Sequence, residues 1–393
     1  MANLVKSLER TLKRAVASIL RTLPTSRLDG PPAFDTVRRI LVVRQHNQLG
    51  DMLCVVPLLR ALRQRFPTAF IALLASPANL DVMLHNRYLD QVIAFDKRTM
   101  LARLGPRPGN LLKFAHMLRS HKFDLAIVPS TVSVSVTSDL LGYLSGARLR
   151  VGAESLEGQP NGTAFLFNLP KKLDWRETPH RHQTLRNVDV ISDHISPPAD
   201  LRPEITLLED EREYGRTFVE REAAGKSACV VVHPGAGKAA NRWPAERFAE
   251  VANHIGEEFN ALILLTCGPM DDGAVRIVES RLRVPYKLIR NQYIRSIASI
   301  LQYANLLISN DTGIMHLGAA METPVLSLFG PTDPEQWAPT GVRNRYIRGE
   351  GEDISTIPVQ AVLAAARQML RRSLAAGSGR KESAKHHEGK KRK

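Results

Sequence analysis

The 393-residue sequence holds only three cysteines, no D-x-D pair and no apolar run near the ~20 residues that a membrane-spanning helix needs. Cys54, Cys229 and Cys267 are odd in number, far apart and set in or beside apolar runs. They read as buried, reduced thiols of a cytosolic protein, with no spacing for a metal cage. The missing D-x-D argues against a metal-dependent nucleotide-sugar site. Neither first strand is followed by G-x-G-x-x-G, since the first loop reads Q-H-N-Q-L-G-D, which leaves little for a dehydrogenase. Gly237-Lys238 is followed by Ala239 and the fifth residue before Gly237 is Val232, so this is not a P-loop. The N-terminus lacks the uninterrupted apolar core and small-residue cleavage site of a secretory signal. No repeat of solenoid period is present.

Acidic residues are also short, but the net charge of +15 is concentrated at the ends. Residues 1–39 carry eight Lys/Arg against three Asp/Glu, and residues 371–393 nine against two, which leaves the body only slightly positive. A body that tracks nucleic acid is therefore not expected. An apolar content of 44% over this length supports two domains with a substantial core.

Leu4, Val5, Leu8, Leu12, Ala15, Val16, Ile19 and Leu20 recur at helical spacing, while Lys6, Arg10, Lys13, Arg14 and Arg21 hold mostly the other face. This predicts a basic amphipathic helix ending near Pro24. Two destinations stay open for it: the interface of an anionic inner leaflet, or the protein's own body or another subunit. With the Pro/Gly-rich linker, this segment is assigned to residues 1–36. From Arg39 onward, short β-rich runs alternate with helical stretches, the pattern of crossover units on parallel sheets. Two such blocks predict two similar α/β domains with open sheets facing a cleft, over 37–205 and 206–355. The first has strands at Ile40–Val43, Phe70–Leu74, Val92–Phe95 and Leu125–Val128, a helix from Asp51 to about Arg65, and a poorly patterned excursion over 150–205. A terminal helix at 356–376 and a disordered basic tail at 377–393 complete the reading.

Three loops carry the chemistry, each at the carboxyl end of a strand, where open parallel sheets bind ligands. Gly50-Asp51 follows the first strand. Asp51 is either a plain helix N-cap or a general base taking a proton from a substrate hydroxyl. His233-Pro234-Gly235-Ala236-Gly237 follows strand Val230–Val232, and Arg242 precedes Trp243-Pro244. Gly235 and Gly237 allow close backbone approach, and Arg242 can set a guanidinium against a diphosphate. The alternative is a glycine-rich turn with solvent-facing cations. Asp311-Thr312-Gly313, with His316 about one turn on, joins a buried strand to a helix. Thr312 and the Gly313 N–H there can cap the helix or hold phosphate oxygens. His316 is open between a structural role and donation to a phosphate.

Taken together the motifs resemble glycosyltransferase family 9, the lipopolysaccharide heptosyltransferases. The matching text is R-x-x-x-x-x-G-D-x-L-x-x-x-P-L-L-x-A-L at Arg44–Leu62, H-P-G-A-x-x-x-x-x-R-W-P at His233–Pro244, and D-T-G-x-x-H-L-x-A-A with F-G-P-T at Asp311–Thr332. The resemblance implies a two-domain GT-B fold, an inverting mechanism, and no metal or cofactor. It implies a nucleotide-sugar donor, typically ADP-heptose, on the C-terminal domain and a lipopolysaccharide core acceptor on the N-terminal one. The enzyme would be cytoplasmic or peripheral on the inner membrane. Asp51 then matches the family's base; Gly235, Ala236, Arg242, Asp311, Thr312, Gly313 and His316 match its donor loops. The family's ribose-side Glu is absent from Cys267–Asp272, where Asp271 is the stand-in. Two rivals remain: another nucleotide-sugar used for a surface polysaccharide, and a non-catalytic nucleotide- or glycan-binding protein of this fold.

Overall fold

The computed structural model describes residues 21–391 apart from 23–24, 26–27, 29, 46 and 98–108, with side chains described as far as residue 376. The amphipathic helix expected over residues 4–20 lies outside the described residues. The chain divides into two compact units between Leu201 and Arg202.

In unit 1 the strands are β1 (Arg39–Arg44), β2 (Phe70–Ala75), β3 (Gln91–Ala94), β4 (Leu125–Ile127), β5 (Leu149–Leu156), β6 (Gln159–Pro160) and β7 (Leu169–Leu173). They run in the order β3-β2-β1-β4-β5, with β7 parallel to β5 and the short β6 antiparallel to it. The central strands read R-I-L-V-V-R, F-I-A-L-L-A and L-A-I, buried almost throughout, as expected of a parallel sheet covered on both faces. Helices α1 (Leu49–Leu53), α2 (Val56–Arg65), α3 (Gly109–Ser120), α4 (Val136–Leu144) and α5 (Gln183–Asp189) follow in chain order.

Two expectations change here. The single helix from Asp51 to Arg65 is two, broken at Cys54–Val55. Pro57 has no N–H to give, and its ring conflicts with the carbonyl one turn back, so the helix restarts with Pro57 in its first turn. The excursion over 150–205 carries sheet: β5 and β7 extend the parallel core. Their pattern is hard to read because β5 buries the charged Arg150, while β7, L-P-K-K-L, bears the Pro and Lys typical of an outer strand.

Unit 2 has six parallel strands: β8 (Ala228–His233), β9 (Ala261–Cys267), β10 (Tyr286–Arg290), β11 (Leu306–Asn310), β12 (Val325–Phe329) and β13 (Arg345–Arg348), ordered β10-β9-β8-β11-β12-β13. Its longer helices are α6 (Glu209–Glu222), α7 (Ala245–Glu258), α8 (Asp272–Arg281), α9 (Ile294–Gln302), α10 (Gly313–Ala320) and α11 (Val359–Lys391). Val230, Val232, Ile263, Leu265, Ile308 and Leu328 pack with Phe248, Ala252 and Ile255 of α7 and Val362, Ala366 and Leu370 of α11 in one core. The tail expected to be disordered from 377 is instead a backbone continuation of α11 to Lys391. Its glycines at 377, 379 and 389 disfavour helix, but extending a helix already packed in the core avoids the cost of nucleation. Among the described residues no helix is long and apolar enough to cross a membrane.

Both sheets reverse winding direction beside their first strand: between β1 and β4, and between β8 and β11. Loops leaving adjacent strands there diverge to opposite faces and open a crevice at the carboxyl edge.

Candidate active site

In unit 1 the crevice belongs to Arg44 and Asp51. Arg44 ends β1 and is 1% exposed; its Nη2 donates to Asp51 Oδ1 at 2.7 Å. Its Nη1 donates to Pro129 O at 3.1 Å, and Nη2 also reaches Thr131 Oγ1 at 3.4 Å, both just beyond β4. The guanidinium thus ties the two strand ends across the reversal and holds one carboxylate oxygen. Burial pulls Arg44 below its ordinary range, while the Asp51 charge works the other way. The N-cap reading of Asp51 is set aside, because Gln48 occupies that position and Asp51 stands in the first turn of α1. Among the described residues, Arg44 is the partner of Asp51, and it engages Oδ1 alone. Cys54 lies close by, buried, its thiol pushed up first by burial and then by Asp51.

In unit 2 the residues predicted for the donor gather on the loops after β8, β9 and β11. Asn310, fully buried at the end of β11, organises two of these loops. Its Nδ2 donates to Pro234 O (2.9 Å) and Gly235 O (3.2 Å), and its Oδ1 accepts from Trp243 N (3.1 Å). Trp243 is buried, donates to Ile357 O at 3.0 Å and meets Phe248 edge-on, so the start of α7 is rigidly placed. Arg242 folds back onto the β8 loop, its Nε donating to Ala236 O at 2.8 Å. Among the described residues no carboxylate pairs with it, which leaves its outer nitrogens for an anion. Ala236 has a buried side chain, so it meets a ligand only through its backbone.

Gly235 and Gly237 differ. A Cβ on Gly237 would meet nothing within 4 Å, so this residue faces open space. A Cβ on Gly235 would fall onto the Asp271 carboxylate. Asp271 is itself 8% exposed, accepts from Gly268 N at 2.9 Å, and lies 3.9 Å from His233 Nε2. Its side chain thus bonds within its own loop after β9 while packing against Gly235 and His233 of the β8 loop. His233 is buried under the same loop with Nδ1 3.0 Å from Thr266 Oγ1; burial lowers its proton affinity, against the opposing pull of Asp271.

Asp311 plays a joining role. Its Oδ2 accepts from Asn241 Nδ2 at 2.9 Å, and Asn241 also donates to Thr332 Oγ1 at 3.2 Å, so the loops after β8, β11 and β12 meet there. Burial raises Asp311 above the usual carboxylate range; the Thr332 hydrogen bond and the Lys238 charge pull it down. Thr312 takes the N-cap position of α10 in extended conformation without a side-chain capping bond. The positive end of α10, beginning at Gly313, therefore remains available to an anion. His316 is buried one turn on, its ring 6.3 Å from that of Trp337, edge to face.

Sequence reasoning missed Lys238, Asn241, Asn310 and the packing of Asp271 against the β8 loop. Lys238 falls within the motif but carries no spacing signal of its own. Asn310, immediately before Asp311, is legible only once β11 is known to lie beside β8. Among the described residues, no three His, Cys, Asp or Glu side chains gather as a metal-binding group would.

Comparison with known proteins gives the family and the fold. The sequence model of glycosyltransferase family 9 (heptosyltransferase) matches residues 111–357. Lipopolysaccharide heptosyltransferase 3 of Escherichia coli K12 is 22% identical over 346 residues, covering 82% of this chain and 95% of the relative. Lipopolysaccharide heptosyltransferase 2 of the same strain is 24% identical over 320 residues, covering 79% and 88%. Among solved structures, the family 9 glycosyltransferase of Veillonella parvula superposes with a TM-score of 0.73 at 22% identity, covering 85% of this chain and 97% of that one. The E. coli ADP-heptose heptosyltransferase II does so at 0.70 and 23% identity, over 85% and 99%. The paired parallel sheets are thus those of the GT-B fold. The chain belongs to glycosyltransferase family 9, the heptosyltransferases, and is a glycosyltransferase.

Proposed function

We propose that the chain transfers a heptose from ADP-heptose to a lipopolysaccharide core acceptor, with inversion at the anomeric carbon and without a metal. The carrying observation is Asp51: a carboxylate at the carboxyl edge of unit 1 with Oδ1 held by buried Arg44. Oδ2 then takes the proton of the acceptor hydroxyl as that oxygen attacks the sugar on the face opposite the leaving diphosphate.

Breaking the glycosyl–phosphate bond builds negative charge on the diphosphate. In unit 2 the cations Arg242 and Lys238 and the amino end of α10 are set to receive it, with His316 one turn behind. Each preorganised donor contributes about 2–4 kcal/mol in sites of this kind. This supply of positive charge is why no metal is invoked. Support for the donor comes from the relatives: the E. coli heptosyltransferase WaaC has been solved with ADP and with ADP-2-deoxy-2-fluoro heptose, at TM-scores of 0.68 and 0.66. Support for the acceptor comes from the names of the curated relatives, which are lipopolysaccharide heptosyltransferases. The basic helix expected over residues 4–20 would hold the enzyme at the surface that carries such a glycolipid.

The test pairs a variant with a donor panel. Asp51→Asn should lower ADP release in the presence of lipid acceptor by about 10²–10⁴, while binding of the nucleotide-sugar stays unchanged. Undiminished transfer by Asp51→Asn removes the base. A preference for a UDP-, GDP- or dTDP-sugar over ADP-heptose sinks the donor assignment.

A further inference from the structure

Between Asp96 and Asp124 the sequence contains seven Lys or Arg and not one Asp or Glu. The rest of the body is close to balance, so this run is a local concentration of charge rather than background composition. The part of it that is described with side chains is α3 and its flanks.

Helix α3 has two unlike faces. Phe114 and Leu118 point into the core of unit 1, with the Phe114 ring edge-on to Phe95 at 4.9 Å, and Ala115 is buried beside them in sequence. Leu112, His116 and Arg119 form an outward stripe at helical spacing, with Lys113 and Ser120 beside it, all exposed. Leu112 is 68% exposed, an aliphatic side chain held in water among cations.

Elsewhere on unit 1, Arg63 pairs with Asp90 at 2.6 Å and Arg65 with Asp35 at 2.7 Å. Among the described residues no carboxylate pairs with Lys97, Lys113, Arg119 or Lys122, all of which are exposed. Their charge is left for something outside the unit.

We propose that the outward face of α3 is a docking surface for an anionic lipid bilayer. Lysine and arginine meet the headgroups at the surface, while Leu112 enters the acyl boundary just below, which is the division of labour of an interfacial amphipathic helix. A nucleic-acid backbone would satisfy the cations but has no place for the exposed leucine at the amino end of the stripe. The inference does not depend on the donor chemistry, because partition to vesicles requires no turnover.

The test is co-sedimentation of the full chain with vesicles of phosphatidylglycerol and phosphatidylcholine, and with phosphatidylcholine alone. Lys113→Glu/Arg119→Glu is compared with Arg281→Glu/Arg283→Glu, which makes the same change of net charge at exposed positions of unit 2. The α3 pair should lower the partition coefficient on anionic vesicles roughly tenfold or more at low salt, and the unit 2 pair should leave it within about twofold. Leu112→Ala should weaken binding about threefold through lost apolar contact. Equal losses for the two charge-reversal pairs would reduce the effect to net charge and overturn the proposal. So would unchanged binding of the α3 pair, or equal binding of the wild type to phosphatidylcholine alone. Release from vesicles by duplex DNA, with DNA binding lost in the α3 pair, would give the face to nucleic acid instead.

Discussion

Replacing Asp139 with Asn should stabilise unit 1 above neutral pH and change little in acid. Asp139 stands in the first turn of α4 and is 1% exposed. Its Oδ2 accepts from Thr163 Oγ1 at 2.6 Å and from Asn161 Nδ2 at 2.9 Å. Burial outweighs those two bonds and pushes the carboxyl up to about 6. In an unfolded chain Asp titrates near ~3.9. The folded unit therefore binds this proton more tightly than the unfolded chain does. The resulting stability is fully present below about pH 4 and is lost as pH rises through about 6. At ~1.4 kcal/mol per tenfold in proton affinity, the loss amounts to about 3 kcal/mol by pH 8. Asparagine keeps an oxygen for Thr163 and Asn161 and never takes a charge. Cys54 provides a reporter confined to unit 1, since its buried sulfur can be labelled only after opening, while Cys229 and Cys267 report unit 2. With a pyridyl disulfide as reagent, the intrinsic reactivity cancels between variant and wild type at each pH. Cys54 labelling of the variant should be slower by up to about a hundredfold at pH 8 and equal within a few fold near pH 4. A ratio that does not move with pH, or one that appears equally at Cys229, refutes the reasoning.

Two further substitutions test the loops. Gly235→Ala sets a methyl against the Asp271 carboxylate, and should destabilise unit 2 by about 1–3 kcal/mol in denaturation followed by Cys229 labelling; adding Asp271→Ala should recover much of the loss, and a Gly235→Ala protein as stable as wild type would show that the loops do not meet in this way. Arg44→Met removes the charge-assisted bond to Asp51 and should cut kcat about tenfold to a hundredfold with the donor KM unchanged, since the residues assigned to the donor are in unit 2; a change in KM alone would contradict the positioning role.

Periodicity and motif spacing made much legible in this chain. Apolar runs such as C-V-V-V and L-I-L-L mark strands buried on both faces, and their alternation with helices implies parallel sheets. Glycine, asparagine and small polar residues at strand ends mark the loops where an anion can approach backbone N–H groups. On that basis Asp51, Arg242 and the Asp311–His316 segment could be singled out, although local chemistry alone left a structural reading open for each. The inner strand β5, which buries the charged Arg150, and the outer strands β7 and β13 left weaker traces. Edge positions tolerate Lys, Arg and Pro, so their composition resembles that of loops.

What only the tertiary structure decided is which side chains are committed to the protein and which are left for a ligand. Asp271 and Asp311 are acidic residues in the right loops, yet Asp271 packs against Gly235 and His233 while Asp311 accepts from Asn241, contacts that depend on β8, β9, β11 and β12 being neighbours. Asn310 matters because three loop groups converge on it from positions distant in sequence. Asp51 is held by an arginine on the strand before it, with the same guanidinium gripping Pro129 beyond β4. Local propensity and pattern act over a few residues, and so determine elements and candidate chemistry. Hydrogen-bond commitments and burial arise between segments that strand order brings together, and no short stretch of sequence contains that order.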